Sequence, residues 1–237
     1  MNEKNTVFIV AGGKGTRLGT ICDHNQKCML ELWGNPILYY PISLLRNAGY
    51  TRMVIAVDYL SDQIKDYFKE GKKLGIEITY LEDSFISTYD ALYKSLDYMS
   101  PHFLYVHANI LFERSLLTTL TSIGNQKQKS VITVVQNNNN KLKHAHVSIC
   151  NGCVDAVNLS GNKNKFPFTF LGVAYYKKED FILHFNGDSS GMVEKVVQQL
   201  KDSDEETLAY IYQGKWRHIE TEYDYIHINK EPEWRLI

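Results

Sequence analysis

A short apolar run, Val7-Phe8-Ile9-Val10-Ala11, empties directly into Gly12-Gly13-Lys14-Gly15-Thr16-Arg17-Leu18. Glycine admits positive φ and lets a backbone come close to a ligand. Successive N–H groups in such a turn form a concavity suited to anions. Lys14 and Arg17 add positive charge, and a guanidinium can hold phosphate through two parallel hydrogen bonds. The chemistry indicated is the handling of phosphate groups. Two well-known glycine-rich patterns do not fit. A dinucleotide fingerprint needs a third glycine where Leu18 stands, and a P-loop needs its lysine after the last glycine, whereas Lys14 precedes Gly15.

These residues need a frame, and the first half of the chain alternates strand and helix patterns. Helical periodicity covers residues 36–48, 61–74 (capped by Ser61) and 88–99, and strand-like apolar runs cover 53–57, 76–81 and 103–106. Such alternation implies a mainly parallel sheet with helices on both faces. Ligands of open α/β sheets bind at the carboxyl ends of the strands. Glu82-Asp83 and His107-Ala108-Asn109 both follow strands, and so belong at the same edge as the glycine turn. The second half reads as a strand at 131–135 and a polar loop tip at 137–140. An Asn151-Gly152 hairpin turn follows, then a stretch at 161–167 with no clear pattern. Strands at 169–176 and 208–212 and helices at 194–200 and 222–228 complete it.

The gross numbers exclude some classes. The 26 Lys and Arg nearly balance 27 Asp and Glu, which argues against a nucleic-acid partner. No apolar run approaches a membrane span and no signal segment opens the chain, so a soluble cytoplasmic protein is expected. Cys150 and Cys153 form a CxxC, but structural zinc needs two more ligands and no second CxxC exists. They are read as flanking the hairpin turn.

With its spacing included, the glycine turn resembles the signature of the sugar-phosphate nucleotidyltransferases: Gly-Gly-x-Gly-Thr-Arg-Leu, then a lysine at fixed distance, here Lys27. The segment Leu30–Leu38 is similar to the family's "(L/V)xxxGKPxL", with Asn35 for the usual lysine. Ser87-Thr88-Tyr89-Asp90-Ala91-Leu92, Gly172-Val173-Ala174-Tyr175 and Ile219-Glu220-Thr221-Glu222-Tyr223-Asp224-Tyr225 resemble later family segments. The resemblance implies a three-layer α/β/α fold with a mixed, mainly parallel, Rossmann-like sheet. It implies a single domain, with a nucleotide-binding half (1–112) and an acceptor-binding half (113–237). The activity implied is transfer of a nucleoside monophosphate from a nucleoside triphosphate to a sugar 1-phosphate or similar small acceptor, releasing pyrophosphate. Neither nucleic acid nor membrane is an expected partner, and a homo-oligomer is compatible with the chain.

Roles follow from the same resemblance. Ala11, Gly12, Gly13, Lys14, Gly15 and Thr16 would hold the triphosphate, and Arg17 and Lys27 would neutralise charge in the transfer. Glu82, Ser87 and Thr88 would meet base and ribose, and Asn109 and Gly172 would border the acceptor. Mg²⁺ is the implied cofactor, held by Asn109 and Glu220, with His218 as the alternative to Glu220. Two plainer readings stand beside these: Lys27 as a solvated lysine, and Ser87 as a helix N-cap only.

The chain also departs from the family pattern. Asn109 stands where the family holds Mg²⁺ with an Asp, and Mg²⁺ prefers anionic oxygen to a neutral amide. Thr20 and Gln26 replace prolines, which is expected to loosen the loop around Lys27. Asn158-Leu159-Ser160 stands near the family's Glu-Lys-Pro, with Lys163 or Lys165 as substitutes for the lost charge. A second reading is therefore a catalytically weak or inactive member that binds a nucleotide or nucleotide-sugar as a sensor or assembly subunit.

Overall fold

The computed structural model describes residues 5–136, 145–158, 166–181, 205–231 and 234. The expected loop tip at 137–140, most of the stretch at 161–167, the helix at 194–200 and residues Leu159, Ser160, Lys163 and Lys165 lie outside them. In chain order the elements are β1 (Thr6–Val10), β2 (Glu31–Leu32), β3 (Asn35–Pro36), α1 (Tyr39–Asn47), β4 (Arg52–Val57), α2 (Ser61–Phe68), β5 (Glu77–Glu82) and α3 (Thr88–Ser95). There follow β6 (His102–His107), β7 (Ile110–Phe112), α4 (Arg114–Lys127), β8 (Val131–Gln136), β9 (His146–Cys150), β10 (Cys153–Asn158) and β11 (Phe168–Lys177). The described chain closes with β12 (Leu208–Ile211), β13 (Trp216–His218) and a helix, α5 (Glu222–Asn229).

Nine strands form one sheet in the order β5-β4-β1-β6-β11-β8-β12-β10-β9, and β9 also pairs with β11. The first four run parallel, so their carboxyl ends share one edge. β11 runs antiparallel to β6 and β8, β12 runs parallel to β8, and the β9–β10 hairpin closes the far side antiparallel. The sheet is mixed, as expected, but not mainly parallel: parallel and antiparallel interfaces divide evenly along its order, because β11 and the β9–β10 hairpin run antiparallel to their neighbours.

Both faces of the central strands are apolar, and alternate residues serve different cores. Val7 and Ile9 join Met53, Ile55 and Val57 in a cluster with Ile42 and Leu45 of α1, Ile64 of α2 and Leu117 of α4. Phe8, Val54 and Ala56 face the other way, onto Tyr89 and Leu92 of α3. Helix cover on both faces leaves the strand ends as the accessible edge of the parallel region.

Several local expectations hold and others change. Asn151 and Gly152 adopt φ of 52° and 81°, the positive values of a type I′ hairpin turn, and Cys150 pairs with Cys153 across it. The Ser87 side chain caps α3 by accepting from the Asp90 N–H, and Thr221 and Asp224 form a reciprocal capping box on α5. The helix expected at 36–48 begins only at Tyr39, because Asn35 and Pro36 pair back onto Glu31 and Leu32 around a tight turn. α2 ends at Phe68 rather than 74, where Lys69 takes a positive φ of 48°. Ser61 is not its cap: the cap position is Leu60, and the Ser61 hydroxyl donates to the Glu82 carboxylate. α3 stops at Ser95 and tightens into a 3₁₀ turn, as helix ends commonly do. α4 and the β7–β13 ribbon had no counterpart in the pattern.

α4 packs Gly124 directly onto Tyr175 of β11, where an added Cβ would lie 2.2 Å from the ring. Gly124→Ala would improve helix propensity by up to about 1 kcal/mol. Overpacking costs typically about 1–3 kcal/mol, and so large an overlap places the cost at the upper end. Net destabilisation is expected, read as a lower thermal midpoint; an unchanged or raised midpoint would contradict this packing.

Candidate active site

Two clefts meet at the carboxyl edge of the parallel strands. One, of about 150 Å³, is lined by residues that include Ala11, Gly13, Lys27, Thr88, His107, Asn109 and Glu220. The other, of about 160 Å³, is lined by Gly15, Thr16, Arg17, Lys27 and Glu220. Lys27 and Glu220 therefore stand in the wall common to both. Residues from five separate parts of the sequence converge here, as strand-end geometry allows.

The glycine turn is built tightly. Gly15 has φ of 66°, and a Cβ there would sit 2.9 Å from both Cys22 Sγ and Lys27 Cβ. Bare backbone is what lets the turn lie against the Lys27 segment. The backbone N–H groups of residues 12–17 make no hydrogen bond to any other described residue. The carbonyls of Ala11 and Gly13, by contrast, accept from the Gln26 side-chain amide. Gln26 is almost fully buried, and its side-chain oxygen accepts from the Cys28 N–H at 2.6 Å. The expected loosening from Gln26 is thus overturned, because the side chain ties the turn to the Lys27 segment.

Lys27 is half-buried, and its pKa is lowered from the ordinary lysine value chiefly by desolvation. The Glu220 carboxylate opposes that shift and the Arg17 charge adds to it. The plain solvated-lysine reading does not describe it. Arg17 Nη1 contacts Glu220 Oε2 at 2.6 Å, joining the glycine turn to the closing segment. With the arginine side chain 43% exposed, such a pair is worth about 1 kcal/mol or less.

Asn109 is 5% exposed and its side chain is committed. Its Nδ2 donates to the Ile219 carbonyl at 2.8 Å, while the Ile219 N–H donates to the Asn109 carbonyl at 3.0 Å. β7 and β13 continue this contact as a short antiparallel ribbon, pairing Ile110 with His218. His218 is buried, stacks on His107 with ring centres 5.5 Å apart, and holds Nδ1 3.9 Å from Glu220 Oε1. The expected Mg²⁺ pair, Asn109 and Glu220, does share a cleft wall. Its chemistry does not fit: one member is a neutral amide, which offers no anionic oxygen, and the carboxylate rests on Arg17. Mg²⁺ asks for hard, preferably anionic oxygens in octahedral array. His218 is no better, being an imidazole stacked against a second imidazole. Among the described residues, no group of three or more His, Cys, Asp or Glu is arranged to hold a metal.

The other expected residues divide. Thr88 faces the first cleft, while Ser87 serves as the α3 cap. Gly12 packs against Asp58, and Lys14 is exposed. Glu82 does not reach either cleft wall; its carboxylate takes hydrogen bonds from Ser61 and from Lys65 at 3.0 Å. Gly172 has φ of 90°, and a Cβ there would fall 2.5 Å from His107 Nδ1. It makes room for the His107 ring, and His107 is the group that lines the cleft. Sequence reasoning missed His107 and Gln26. Their signals were slight: a histidine at a strand end, and a glutamine in a proline position.

A glycine turn with open amides, a half-buried lysine and an arginine thus converge at the strand ends of an α/β sheet. The nucleotidyl transferase pattern matches residues 6–145, and the chain belongs to that family. It is 32% identical over 89 residues to UTP–glucose-1-phosphate uridylyltransferase of Synechocystis sp., a match covering 38% of this chain and 23% of that protein. It is 33% identical over 73 residues to N-acetylmuramate α-1-phosphate uridylyltransferase of Neisseria meningitidis, covering 31% of this chain and 32% of that one. Such matches span a third or less of these curated relatives. A glucose-1-phosphate thymidylyltransferase structure from Bacillus anthracis, described as putative, superposes with a TM-score of 0.82 at 17% identity, covering 95% of this chain and 94% of that one. The inositol-1-phosphate CTP transferase of T. maritima gives 0.80 at 18%, covering 97% and 96%. At these identities the structural likeness establishes the fold.

The lowered Lys27 pKa carries a pH prediction. Binding of inorganic tripolyphosphate is expected to weaken with rising pH before the ordinary lysine range near ~10.4 is reached. In the same window the unfolded chain binds more protons than the folded one, so this group's contribution to stability rises with pH. Calorimetric titration from pH 7 to 10.5 checks the first; a flat profile up to the ordinary range would contradict a desolvated lysine.

Proposed function

We propose that the protein transfers a nucleoside monophosphate from a nucleoside triphosphate to a sugar 1-phosphate or similar small phosphorylated acceptor, releasing pyrophosphate. The observation that carries this is the position of Lys27 in the wall common to two clefts, one beneath the glycine turn and one beside Thr88, His107 and Asn109. In the proposed reaction an oxygen of the acceptor phosphate attacks the α-phosphorus. A new P–O bond forms, the bond from the α-phosphorus to the bridging oxygen breaks, and pyrophosphate leaves with that oxygen. Such a reaction asks for positioning and charge neutralisation rather than a covalent nucleophile.

The amides of Gly12 to Thr16 bind the leaving phosphates in this reading. Arg17 turns from Glu220 onto them, and Lys27 neutralises charge between the α-phosphate and the acceptor phosphate. Thr88 borders the nucleoside, and His107, held in place by Gly172, borders the acceptor together with Asn109. Mg²⁺ enters only as the counter-ion a nucleoside triphosphate carries, since the residues present do not form a site for it. Residues 1–112 serve mainly the nucleotide and 113–237 mainly the acceptor, with His107 and Asn109 at the boundary between the two roles, within one cytoplasmic unit.

The test is pyrophosphate release by the purified chain across the common nucleoside triphosphates and a panel of sugar 1-phosphates. At least one pair is expected to turn over. Lys27→Ala should reduce turnover about 10²–10³-fold, the scale of losing one preorganised charge-stabilising group, while weakening nucleotide binding far less. No pyrophosphate from any pair would overturn the proposal.

A further inference from the structure

We infer that Gln26 is a positioning residue, locking the phosphate-binding turn and Lys27 into one rigid unit; the inference rests on the reading of the site given above. Its side chain is 1% exposed and uses both ends of its amide. Nε2 donates to the carbonyls of Ala11 and, at 3.3 Å, Gly13, while Oε1 accepts from Cys28 N at 2.6 Å. The backbone of the same residue is held from outside. Gln26 N donates to Gln63 Oε1 of α2 at 2.8 Å, and Gln63 Nε2 donates to the His24 carbonyl at 2.8 Å. Two glutamines in series thus connect a packed helix to the 24–28 segment, and that segment to the glycine turn.

The chemistry needed here is narrow. The site offers two carbonyls on one side and an N–H on the other, and a primary amide presents donors and an acceptor in that arrangement. A glutamate of the same size would turn an acceptor toward two carbonyls and bury a charge. A methionine would leave buried carbonyls unpaired, at the cost of their desolvation. Gln26 also has φ of −65°, the value a proline ring imposes. A proline would share that φ but supply neither the N–H that Gln63 receives nor the amide that grips the turn.

The consequence reaches the ligand. With the Ala11 and Gly13 carbonyls drawn to Gln26, the turn's own N–H groups are left to an anion. Lys27, flanked by Gln26 and Cys28, moves only if both contacts break. Holding amides and ammonium in fixed relation lets one triphosphate engage both without a fresh ordering cost.

The experiment compares wild type with Gln26→Met and Gln26→Glu by amide hydrogen exchange, inorganic tripolyphosphate affinity and, where transfer is observed, kcat and KM. Faster exchange confined to residues 11–17 and 27–28 is expected, with a tripolyphosphate Kd raised about tenfold, the effect of roughly one hydrogen bond to a charged group. Gln26→Glu should be worse than Gln26→Met, and kcat should fall beyond any change in KM. Gln63→Leu, which leaves the amide grip in place, tests the same chain if the Gln26 variants do not fold. It should raise the Kd about two- to threefold and loosen residues 24–28. Unchanged exchange and affinity in a folded Gln26 variant, or in Gln63→Leu if none folds, would overturn the inference. Exchange and tripolyphosphate binding are independent of transfer, so a wild type that releases no pyrophosphate would sink the proposed function and still leave this result decisive.

Discussion

The site depends on one pair of hydrogen bonds between residues 110 positions apart in sequence. The Asn109 side chain donates to the Ile219 carbonyl while the Ile219 N–H donates to the Asn109 carbonyl, and the β7–β13 ribbon extends the contact. Asn109 is fixed first, because it follows β6 beside β1 in the parallel part of the sheet. Ile219 is fixed by Asn109, and Glu220 then falls opposite Arg17. The clasp and the ribbon together set the register of the closing segment against the strand ends, and with it the place of the carboxylate in the wall of both clefts. A buried amide suits the task because its geometry does not change with pH and both partners are backbone.

Charge in the cleft is unbalanced by design of the residues present. Lys27 is desolvated and loses some affinity for its proton, and Arg17 makes the imbalance larger. Glu220 is the anion that tempers it, contacting Arg17 directly and acting on Lys27 through space. The weak, half-exposed ion pair is easily exchanged for phosphate oxygens. The desolvated lysine is different: its burial is a standing cost that an incoming anion reduces. The same residues that destabilise the empty cleft therefore favour a polyphosphate within it.

Much of the frame was legible because its signals are local. The alternating strands and helices of the first hundred residues, the Asn151-Gly152 turn, the Ser87 cap and the glycine turn each depend on neighbours in sequence. Helix ends read poorly where positive-φ residues such as Lys69 interrupt a continuing amphipathic pattern, since periodicity does not register one unfavourable torsion. α4 was missed because threonines and Gly124 dilute its apolar stripe. β7 and β13 are three residues each, too short to carry a period. The site was legible in its backbone and lysine, whose spacing is fixed by a single turn. Asn109 and Glu220 were expected in the site and do stand in its wall. Their contacts with Ile219 and Arg17, like those of Gln26, are set by partners distant in the chain or on a neighbouring loop and were not legible. Ser61 and Glu82 illustrate the same limit. A cap and a ligand on sequence grounds, they instead satisfy one another across α2 and β5.

The substitutions that seemed to weaken the site turn out to be connected. A glutamine where the family has proline keeps the same φ and adds hydrogen bonds, while Asn109 binds the backbone of the closing segment and His218 stacks on His107. Each of these residues makes a contact within the chain. Gly172 belongs to the same logic, since its missing Cβ seats His107 against His218 behind the cleft. The order of this cleft comes from amides and imidazoles packed within the chain. On the proposed reading its attraction for phosphate comes from Lys27, which those contacts fix, and from the more exposed Arg17. A protein-held divalent ion would have to displace Arg17 from Glu220, the one carboxylate in the wall of both clefts, and would then sit beside the positive charge of Lys27.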